Sequence, residues 1–187
     1  MLKKGSKLTL PQLWKTLSAG LQEAVSDFEK REFGLDTMSK YDFLSCEEIQ
    51  QYINYEDEAG KYYRNLIHRD DSIVLKTIIW NRLATTPIHG HSSRGCWVLL
   101  TKGELIEKTF IRKDGKVFQT DEAILKPGEI TYNHDAIGFH SMENPSKTEQ
   151  AMTIHCYHPP YDVTSVMDED GVIKRLPLTY YGEEGVI

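Results

Sequence analysis

The chain has 187 residues, of which 40% are hydrophobic and 27% charged, a composition typical of a globular protein that can bury a sizeable core. The net charge of -6 at pH 7, without clustered basic residues, argues against nucleic-acid or membrane-surface partners, so we expect small-molecule partners. Three cysteines are too few, and odd in number, for a disulfide framework, which favours a reducing cytoplasmic setting.

The first predicted element is an amphipathic helix that begins after Thr9 and runs to about Lys30. Thr9 and Gln12 have the spacing of a capping box, and a proline occupies the first turn, where its missing N–H costs nothing. Hydrophobic residues then recur every fourth position along one face, at Leu13, Leu17, Leu21 and Val25, with Trp14 and Phe28 beside them. Polar residues interrupt the leucines, so the sequence predicts neither a signal peptide nor a membrane span.

A second, shorter helix is predicted after a break that contains Gly34. Residues 45–48 have the spacing of another capping box, and Ile49, Tyr52 and Ile53 supply a short apolar face. We expect both helices to pack against a sheet, as an N-terminal helical region of about residues 1–60.

From Tyr62 onward the sequence changes to short runs rich in β-branched and aromatic residues, separated by Asp, Gly, Asn and Pro. Many short antiparallel strands predict a sandwich or barrel over about residues 61–187, within a single domain that comprises residues 1–187. The predicted strands are 62–68, 72–80, 96–100, 104–111, 116–120, 123–125, 130–133, 137–143, 151–158 and 172–178.

Two histidines, His89 and His91, are separated by one residue, so in an extended segment both imidazoles project to the same side. Such a pair can bind one metal ion, and His140, on a later predicted strand, can supply a third ligand. The pair alone is equally compatible with two histidines that bind nothing. Three histidines also suit catalytic zinc, so ligand type does not exclude that metal.

The surrounding residues resemble the two cupin motifs, except that a cysteine stands where cupins usually carry a glutamate ligand. These residues are His89, His91, Cys96 and Gly103, followed by Pro127, Gly128, His140 and Asn144. Together with the segments 62–66 and 153–162, the pattern is similar to the cysteine dioxygenase family, over roughly residues 62–162. The resemblance implies a mainly β, cupin-type antiparallel β-sandwich or small barrel with N-terminal α-helices.

The same resemblance implies one Fe(II) per chain, bound by His89, His91 and His140. It also implies oxidation of L-cysteine by O2 to cysteine sulfinic acid, in a cytoplasmic monomer. Three neutral imidazoles leave the full charge on the ion, so a substrate thiolate can complete the ligand set.

The resemblance assigns further residues to substrate and to catalysis. Arg64, helped by Tyr62, would hold the substrate carboxylate, because a guanidinium fork matches a carboxylate in two hydrogen bonds. Catalytic roles fall to Tyr157 and His155, which also contact substrate, and to Cys96, in a thioether cross-link with Tyr157. Thr153 would begin a hydrogen-bonded relay to His155 and Tyr157, at a position where the family has serine.

Each of these residues also has a structural interpretation. By position alone, Arg64 is typical of a surface arginine, Cys96 of a small buried hydrophobe, and His155 with Tyr157 of a hydrogen-bonded core pair. Residues left as structural or solvent-facing are His68, His134 and His158, and Trp80 and Trp97 are predicted to be core aromatics.

Two rival functions remain open on the sequence. A dioxygenase of 3-mercaptopropionate or another small thiol would resemble this chain, but such enzymes typically lack both the arginine and the cysteine that stand here as Arg64 and Cys96. The other rival is a cupin that binds a metal or small ligand without catalysis, against which the retention of His155 and Tyr157 argues.

Overall fold

The computed structural model describes residues 7–42, 47–91, 94–134, 138–168 and 170–181. The helices are α1 (Leu10–Glu23), α2 (Asp27–Ser39) and a 3₁₀ helix (Glu47–Tyr52). The strands are β1 (Tyr62–Arg69), β2 (Val74–Trp80), β3 (Ile88–Gly90), β4 (Gly95–Lys102), β5 (Leu105–Lys113), β6 (Lys116–Leu125), β7 (Ile130–Asn133), β8 (Phe139–Glu143), β9 (Ala151–His158), β10 (Val163–Met167) and β11 (Ile173–Pro177). Within these described ranges, no helix combines the length and the apolar character needed to cross a bilayer.

The strands form two antiparallel sheets that face each other. One has five strands in the order β1-β2-β9-β4-β7, and the other has six in the order β11-β10-β3-β8-β5-β6. A buried apolar cluster joins the sheets, with Val98 and Leu100 from the first against Leu105 and Met142 from the second. The predicted mainly β, antiparallel sandwich is therefore confirmed.

The helices cover the outer face of the five-stranded sheet. Leu10, Leu13, Leu17 and Leu21 of α1 are buried, as the four-residue repeat predicts. They share one apolar cluster with sheet residues that include Trp97, Leu99, Ile154 and Cys156. The five-stranded sheet is consequently buried on both faces, which explains why all seven residues of β2 are buried.

The predicted continuation of the first helix to Lys30 is wrong. Helix α1 ends at Glu23, and α2 begins after Ser26 with its own capping box. The Ser26 hydroxyl accepts from Glu29 N–H at 3.1 Å, while the Glu29 carboxylate accepts from Ser26 N–H at 2.9 Å. Val25 is 91% exposed and Phe28 68% exposed, so these two residues do not belong to the buried stripe.

The predicted break at Gly34 is also wrong, because Gly34 lies inside α2. A Cβ atom on Gly34 would come within 2.3 Å of the Trp97 ring. In addition, Trp97 Nε1–H donates to the carbonyl of Arg31 at 3.1 Å. Glycine is therefore used here so that α2 can approach the sheet closely, not to end a helix.

Other elements differ from the prediction in extent. The predicted strands 116–120 and 123–125 are one continuous strand, β6, and β3 and β10 had not been predicted as strands. The capping residues proposed at 45–46, and Ile137 at the start of a predicted strand, lie outside the described residues. The described part of the second predicted helix is the 3₁₀ helix, in which Ile49 is buried as expected.

Candidate metal centre

Three histidines converge at the inner face of the six-stranded sheet. His89 on β3 lies directly opposite His140 on β8, and His91 follows just after the end of β3. One side-chain nitrogen from each of the three lies within 4.8 Å of the other two. The period-2 argument therefore placed His89 and His91 correctly, and the antiparallel pairing of β3 with β8 adds His140.

Hydrogen bonds orient two of the rings. His89 Nδ1 lies 3.0 Å from the carbonyl oxygen of Pro87, and His140 Nδ1 lies 2.6 Å from Glu107 Oε1. Since these oxygens accept hydrogen bonds, each Nδ1 carries the proton and each Nε2 presents a lone pair. The two Nε2 atoms are 3.2 Å apart, a repulsive arrangement unless a cation lies between them.

Burial disfavours the charged forms of His89 and His91. The pKa of His89 and that of His91 are lowered well below 6.5, first by burial and then by the charge of His140. His91 Nδ1 is buried and has no hydrogen-bond partner within the described part of the chain. Three imidazole nitrogens at this spacing fit a divalent transition metal and leave coordination positions open.

Glu107 on β5 is hydrogen-bonded to one ring of the histidine cluster, and the sequence analysis did not predict this role. Its Oε1 accepts from His140, and its Oε2 accepts from the Thr131 hydroxyl at 2.6 Å. Burial raises the pKa of Glu107, but the hydrogen bond from His140 and the charge of that ring outweigh it, so the pKa lies below 4.5. A usable signal was alternation, because Glu107 shares a strand face with the core residue Leu105.

A cavity between the sheets opens beside the three histidines. Its lining combines the three histidines with other residues of both sheets: Tyr62, Arg64, Lys76, Ile78, Trp80, Thr86, Pro87, His89, His91, His140, Met142, His155, Tyr157, Tyr161, Thr164, Val166 and Leu178. Every described lining side chain is neutral or cationic, and no carboxylate lines the cavity within the described residues. Anionic ligands therefore suit it.

Arg64 and Tyr62 lie together on β1 at the edge of this cavity, as two predicted substrate-binding residues. Arg64 Nη2 donates to the Tyr62 hydroxyl at 3.0 Å, and its Cζ lies 4.8 Å from the centre of the Tyr62 ring. The Tyr62 ring in turn stacks on Trp80 at 5.2 Å. These contacts hold the guanidinium in a fixed position and leave its remaining N–H donors for a ligand.

Thr153, His155 and Tyr157 form a hydrogen-bonded line along one face of β9, as predicted. Thr153 Oγ1 lies 2.8 Å from His155 Nε2, and His155 Nδ1 lies 3.0 Å from the Tyr157 hydroxyl oxygen. Trp80 Nε1–H donates to Thr153 Oγ1 at 2.9 Å, so the threonine hydrogen is free to point at His155 Nε2. Burial, then Lys76, holds the pKa of His155 well below 6.5, which keeps this ring neutral.

Cys96 and Tyr157 are direct cross-strand partners between β4 and β9. Such partners carry Cβ atoms about 4.5–5.5 Å apart, close enough for their side chains to touch. Burial raises the pKa of the Cys96 thiol to about 12 and that of Tyr157 well above 10, so both groups are protonated. The Tyr157 ring lies 5.6 Å from the His91 ring, so Tyr157 also borders the histidine cluster.

Lys76 is a lining residue that sequence reasoning also missed. It is the one charged residue in the seven-residue strand β2. A lysine in an otherwise buried strand was the available signal, since lysines are almost never fully buried without a partner.

The aromatic and histidine residues predicted to be structural have structural contacts. His68 stacks on Trp14 at 5.2 Å, and His158 Nδ1 lies 2.9 Å from the carbonyl oxygen of Ser72. Trp80 and Trp97 are fully buried, although Trp80 also lines the cavity and extends the relay.

Comparison with known proteins identifies a matching family and several relatives. Residues 12–170 match the family model described as cysteine dioxygenase type I. Cysteine dioxygenase type 1 of Homo sapiens is 28% identical over 131 residues, an alignment that covers 67% of this chain and 66% of the human protein. The rat protein of the same name is 29% identical, with 78% of this chain and 81% of the rat protein covered. The chain thus spans just under two thirds of the human relative's length and more of the rat relative's.

Among solved structures, the chain is similar to an uncharacterised conserved protein with a double-stranded β-helix domain from Klebsiella pneumoniae. The TM-score is 0.50 at 15% sequence identity, and the match covers 66% of this chain and 97% of that protein. At this identity the likeness concerns the fold alone, and it agrees with the predicted mainly β fold of antiparallel strands arranged as a sandwich or small barrel.

Proposed function

Because the chain belongs to the cysteine dioxygenase type I family, we propose that it oxidises L-cysteine with O2 to cysteine sulfinic acid at a three-histidine Fe(II) site. The atoms balance as one thiol plus one O2 giving one sulfinic acid, with both oxygens on sulfur. The observation that carries this proposal is the cluster of His89, His91 and His140 beside a cavity that also presents Arg64.

His89, His91 and His140 hold the iron, one ion per chain, in this proposal. When bound, Fe(II) supplies the open positions at which a thiolate and O2 meet. The donor set fits this chemistry because the described ligands bring no negative charge, so an anionic substrate is favoured over a neutral one. Glu107 fixes the orientation of His140 and thereby the direction of its lone pair.

Arg64 and Tyr62 bind the substrate carboxylate. The contact with Tyr62 uses one N–H of Arg64, and the planar guanidinium still offers a pair of parallel donors. Anchoring the carboxylate at one end of the cavity directs the thiol toward the histidine cluster at the other. Such positioning, rather than proton transfer by Arg64, is its contribution.

Tyr157 is the group of the relay that faces the reacting sulfur. His155 donates to the Tyr157 oxygen, so the phenolic hydrogen is directed away from His155. Thr153 fixes the His155 tautomer from the opposite side. The methyl group that distinguishes Thr153 from serine is fully buried, and the hydrogen bonds of the relay are intact around it.

Cys96 and Tyr157 form a thioether in this proposal, supported by their cross-strand pairing. A carbon–sulfur bond replaces the thiol S–H and one ring C–H, and the two electrons and two protons pass to O2. Peptide mass analysis of protein exposed to iron, oxygen and L-cysteine should therefore find the two strands joined, with two hydrogen atoms lost. Cys96→Ser should retain iron and some turnover, whereas complete loss of metal would contradict the assignment.

The decisive experiment measures O2 uptake by the protein loaded with Fe(II), with L-cysteine and with 3-mercaptopropionate, and identifies products by mass. Preferential uptake with L-cysteine and a product heavier by two oxygen atoms is expected. Preference for 3-mercaptopropionate would overturn the role of Arg64, and no uptake with either thiol, despite bound iron, would leave a cupin that binds without catalysis.

We also propose that the protein is a cytoplasmic monomer whose partners are these small molecules. Its net charge of -6 and the buried, free thiol of Cys156 support this setting. Light scattering after size-exclusion chromatography tests the oligomeric state, and a dimer would contradict the proposal.

A further inference from the structure

Lys76 is a charged residue that is buried inside the protein. It occupies the middle of β2, and its side chain is only 2% exposed. It faces the same cavity as the three histidines. On the neighbouring strand β9, its direct cross-strand partner is His155, the central residue of the relay.

The ammonium group of Lys76 has no counter-ion in the described part of the chain. No hydrogen bond or ion pair joins it to another described residue, and it lies over the face of the Tyr157 ring, 4.2 Å from the ring centre. Glu107 is hydrogen-bonded to His140 and does not line the cavity. Burying an unpaired ammonium is costly, so the arrangement fits a ligand that brings the missing negative charge.

Arg64 is the second cation of this cavity, and the two are placed as a pair. Arg64 lies opposite Ile78 in the β1–β2 register, and Lys76 lies two residues further along the same face of β2. The backbone positions of diagonal neighbours of this kind are about 7–8 Å apart, and both side chains line the same cavity. A short molecule with an anionic group at each end can therefore contact both cations at once.

The two cations differ in the anion that they suit. The guanidinium fork matches a planar carboxylate, whereas an ammonium is a point charge that suits oxygens in a pyramidal arrangement. Lys76 is also the cation beside Tyr157, whose ring packs near His91 of the histidine cluster. Lys76 therefore lies at the sulfur end of the cavity, and Arg64 with Tyr62 at the carboxylate end.

We propose, on the basis of the proposed function, that Lys76 is a second anion-binding residue, whose ammonium holds the sulfur-bound oxygens of the sulfinate while Arg64 holds the carboxylate. The ligand class is a short aliphatic molecule that carries a carboxylate and a sulfur oxyanion. Burial, and then the charge of Arg64, lowers the pKa of Lys76 to about 7. An anion bound next to Lys76 offsets both effects and favours the ammonium form.

The test compares two ligands that differ at the sulfur end. Calorimetry on the full chain, loaded with Fe(II) without oxygen, measures binding of L-cysteine sulfinate and of L-2-aminobutyrate, which has a methyl group in place of the sulfinate. Lys76→Met should weaken sulfinate binding about 10- to 100-fold, the size of one charge-assisted hydrogen bond, and change aminobutyrate binding less than about twofold. Lys76→Arg, which keeps a cation at this position, should retain most of the sulfinate affinity.

A lysine that only fills space would give a different result. Equal losses for both ligands, or unchanged sulfinate binding in Lys76→Met, would overturn the proposal. Lys76→Met removes an unpaired buried charge and keeps a chain of similar length, so it should fold, and its melting temperature is the control. Oxygen uptake with L-cysteine reports separately on the proposed function, because sulfinate binding requires no turnover.

Discussion

Arg64 is the residue whose removal best separates substrate recognition from metal chemistry. Arg64→Ala should raise the KM for L-cysteine about 10- to 100-fold, because a carboxylate loses a charge-assisted pair of hydrogen bonds. The KM for cysteamine, a thiol without a carboxylate, should change little. Steady-state O2 uptake with both thiols measures the difference. Arg64→Lys is the matched control and should recover only part of the effect, and equal changes for the two thiols would contradict the assignment.

Glu107 gives a second prediction at this scale, concerning the metal itself. Glu107→Gln keeps the shape of the side chain but removes the negative charge that holds the His140 proton on Nδ1. Losing such an outer partner typically costs about 10- to 100-fold in metal affinity. Competition with a chromophoric chelator measures this loss.

Thr131→Val is the control variant for Glu107→Gln. It removes the hydrogen bond to the other Glu107 oxygen and leaves the contact with His140 in place. Its effect on metal affinity should therefore be smaller. Unchanged affinity in Glu107→Gln would show that backbone pairing alone orients His140.

Single residues differ in how far the sequence could predict them. His89 and His91 followed from the period-2 rule, and the roles of Arg64 and Cys96 came from the family pattern. Lys76 and Glu107 were not found, because a charge on a strand is usually read as a solvent-facing residue. The strand patterns hinted at both residues, but their burial depends on the packing of the two sheets against each other, which β2 or β5 alone does not establish.

At the scale of elements, the junction between α1 and α2 depends on the cap at the start of α2. Ser26→Ala removes the side chain that accepts from Glu29 N–H at the start of α2. The free energy of unfolding should fall by about 1 kcal/mol, the usual effect of losing such a cap. Urea denaturation measures it.

A serine at the other end of α2 provides the control. Ser39 is exposed and donates to the carbonyl of Asp36, so Ser39→Ala should change stability by less than about 0.5 kcal/mol. If Ser26→Ala is as mild as Ser39→Ala, the junction depends on packing of α2 against the sheet and not on its cap.

The same junction explains why element boundaries were hard to predict. The repeat Leu13, Leu17, Leu21 continues in sequence to Val25, and this hid the capping box of Ser26 with Glu29. Short strands were missed for a related reason. β3 has three residues, and its pairing with β10 and β8 depends on segments distant in the chain.

At the scale of the whole molecule, Asp70 connects the helical layer to the sheet. Asp70 Oδ2 accepts from the Ser18 hydroxyl of α1 at 2.7 Å and lies 2.9 Å from His68 Nε2. Its Oδ1 accepts from the backbone N–H groups of Ser72 and Ile73, each at 2.8 Å. Partial burial raises the pKa of Asp70, but these hydrogen bonds outweigh it and lower the pKa to about 2.

This depressed pKa predicts how stability depends on pH. A carboxyl group whose pKa is lower in the folded than in the unfolded state stabilises the fold when ionised. Its contribution should be complete above the ordinary value of 3.8, decline as the pH falls, and vanish below about 2. Asp70→Asn should therefore lose the part of stability that depends on pH in this window, as measured by urea unfolding at a series of pH values.

Asp162 is the matched control for Asp70. It pairs with Arg69 at 2.6 Å, but its side chain is 72% exposed, and an ion pair at such a site contributes little. Asp162→Asn should leave the acid limb of the stability curve close to that of the wild-type chain. If Asp70→Asn and the wild-type chain lose stability in parallel between pH 5 and pH 2, the link between α1 and the sheet does not depend on the ionised carboxylate, and the other contacts between the helices and the sheet suffice to hold the layers together.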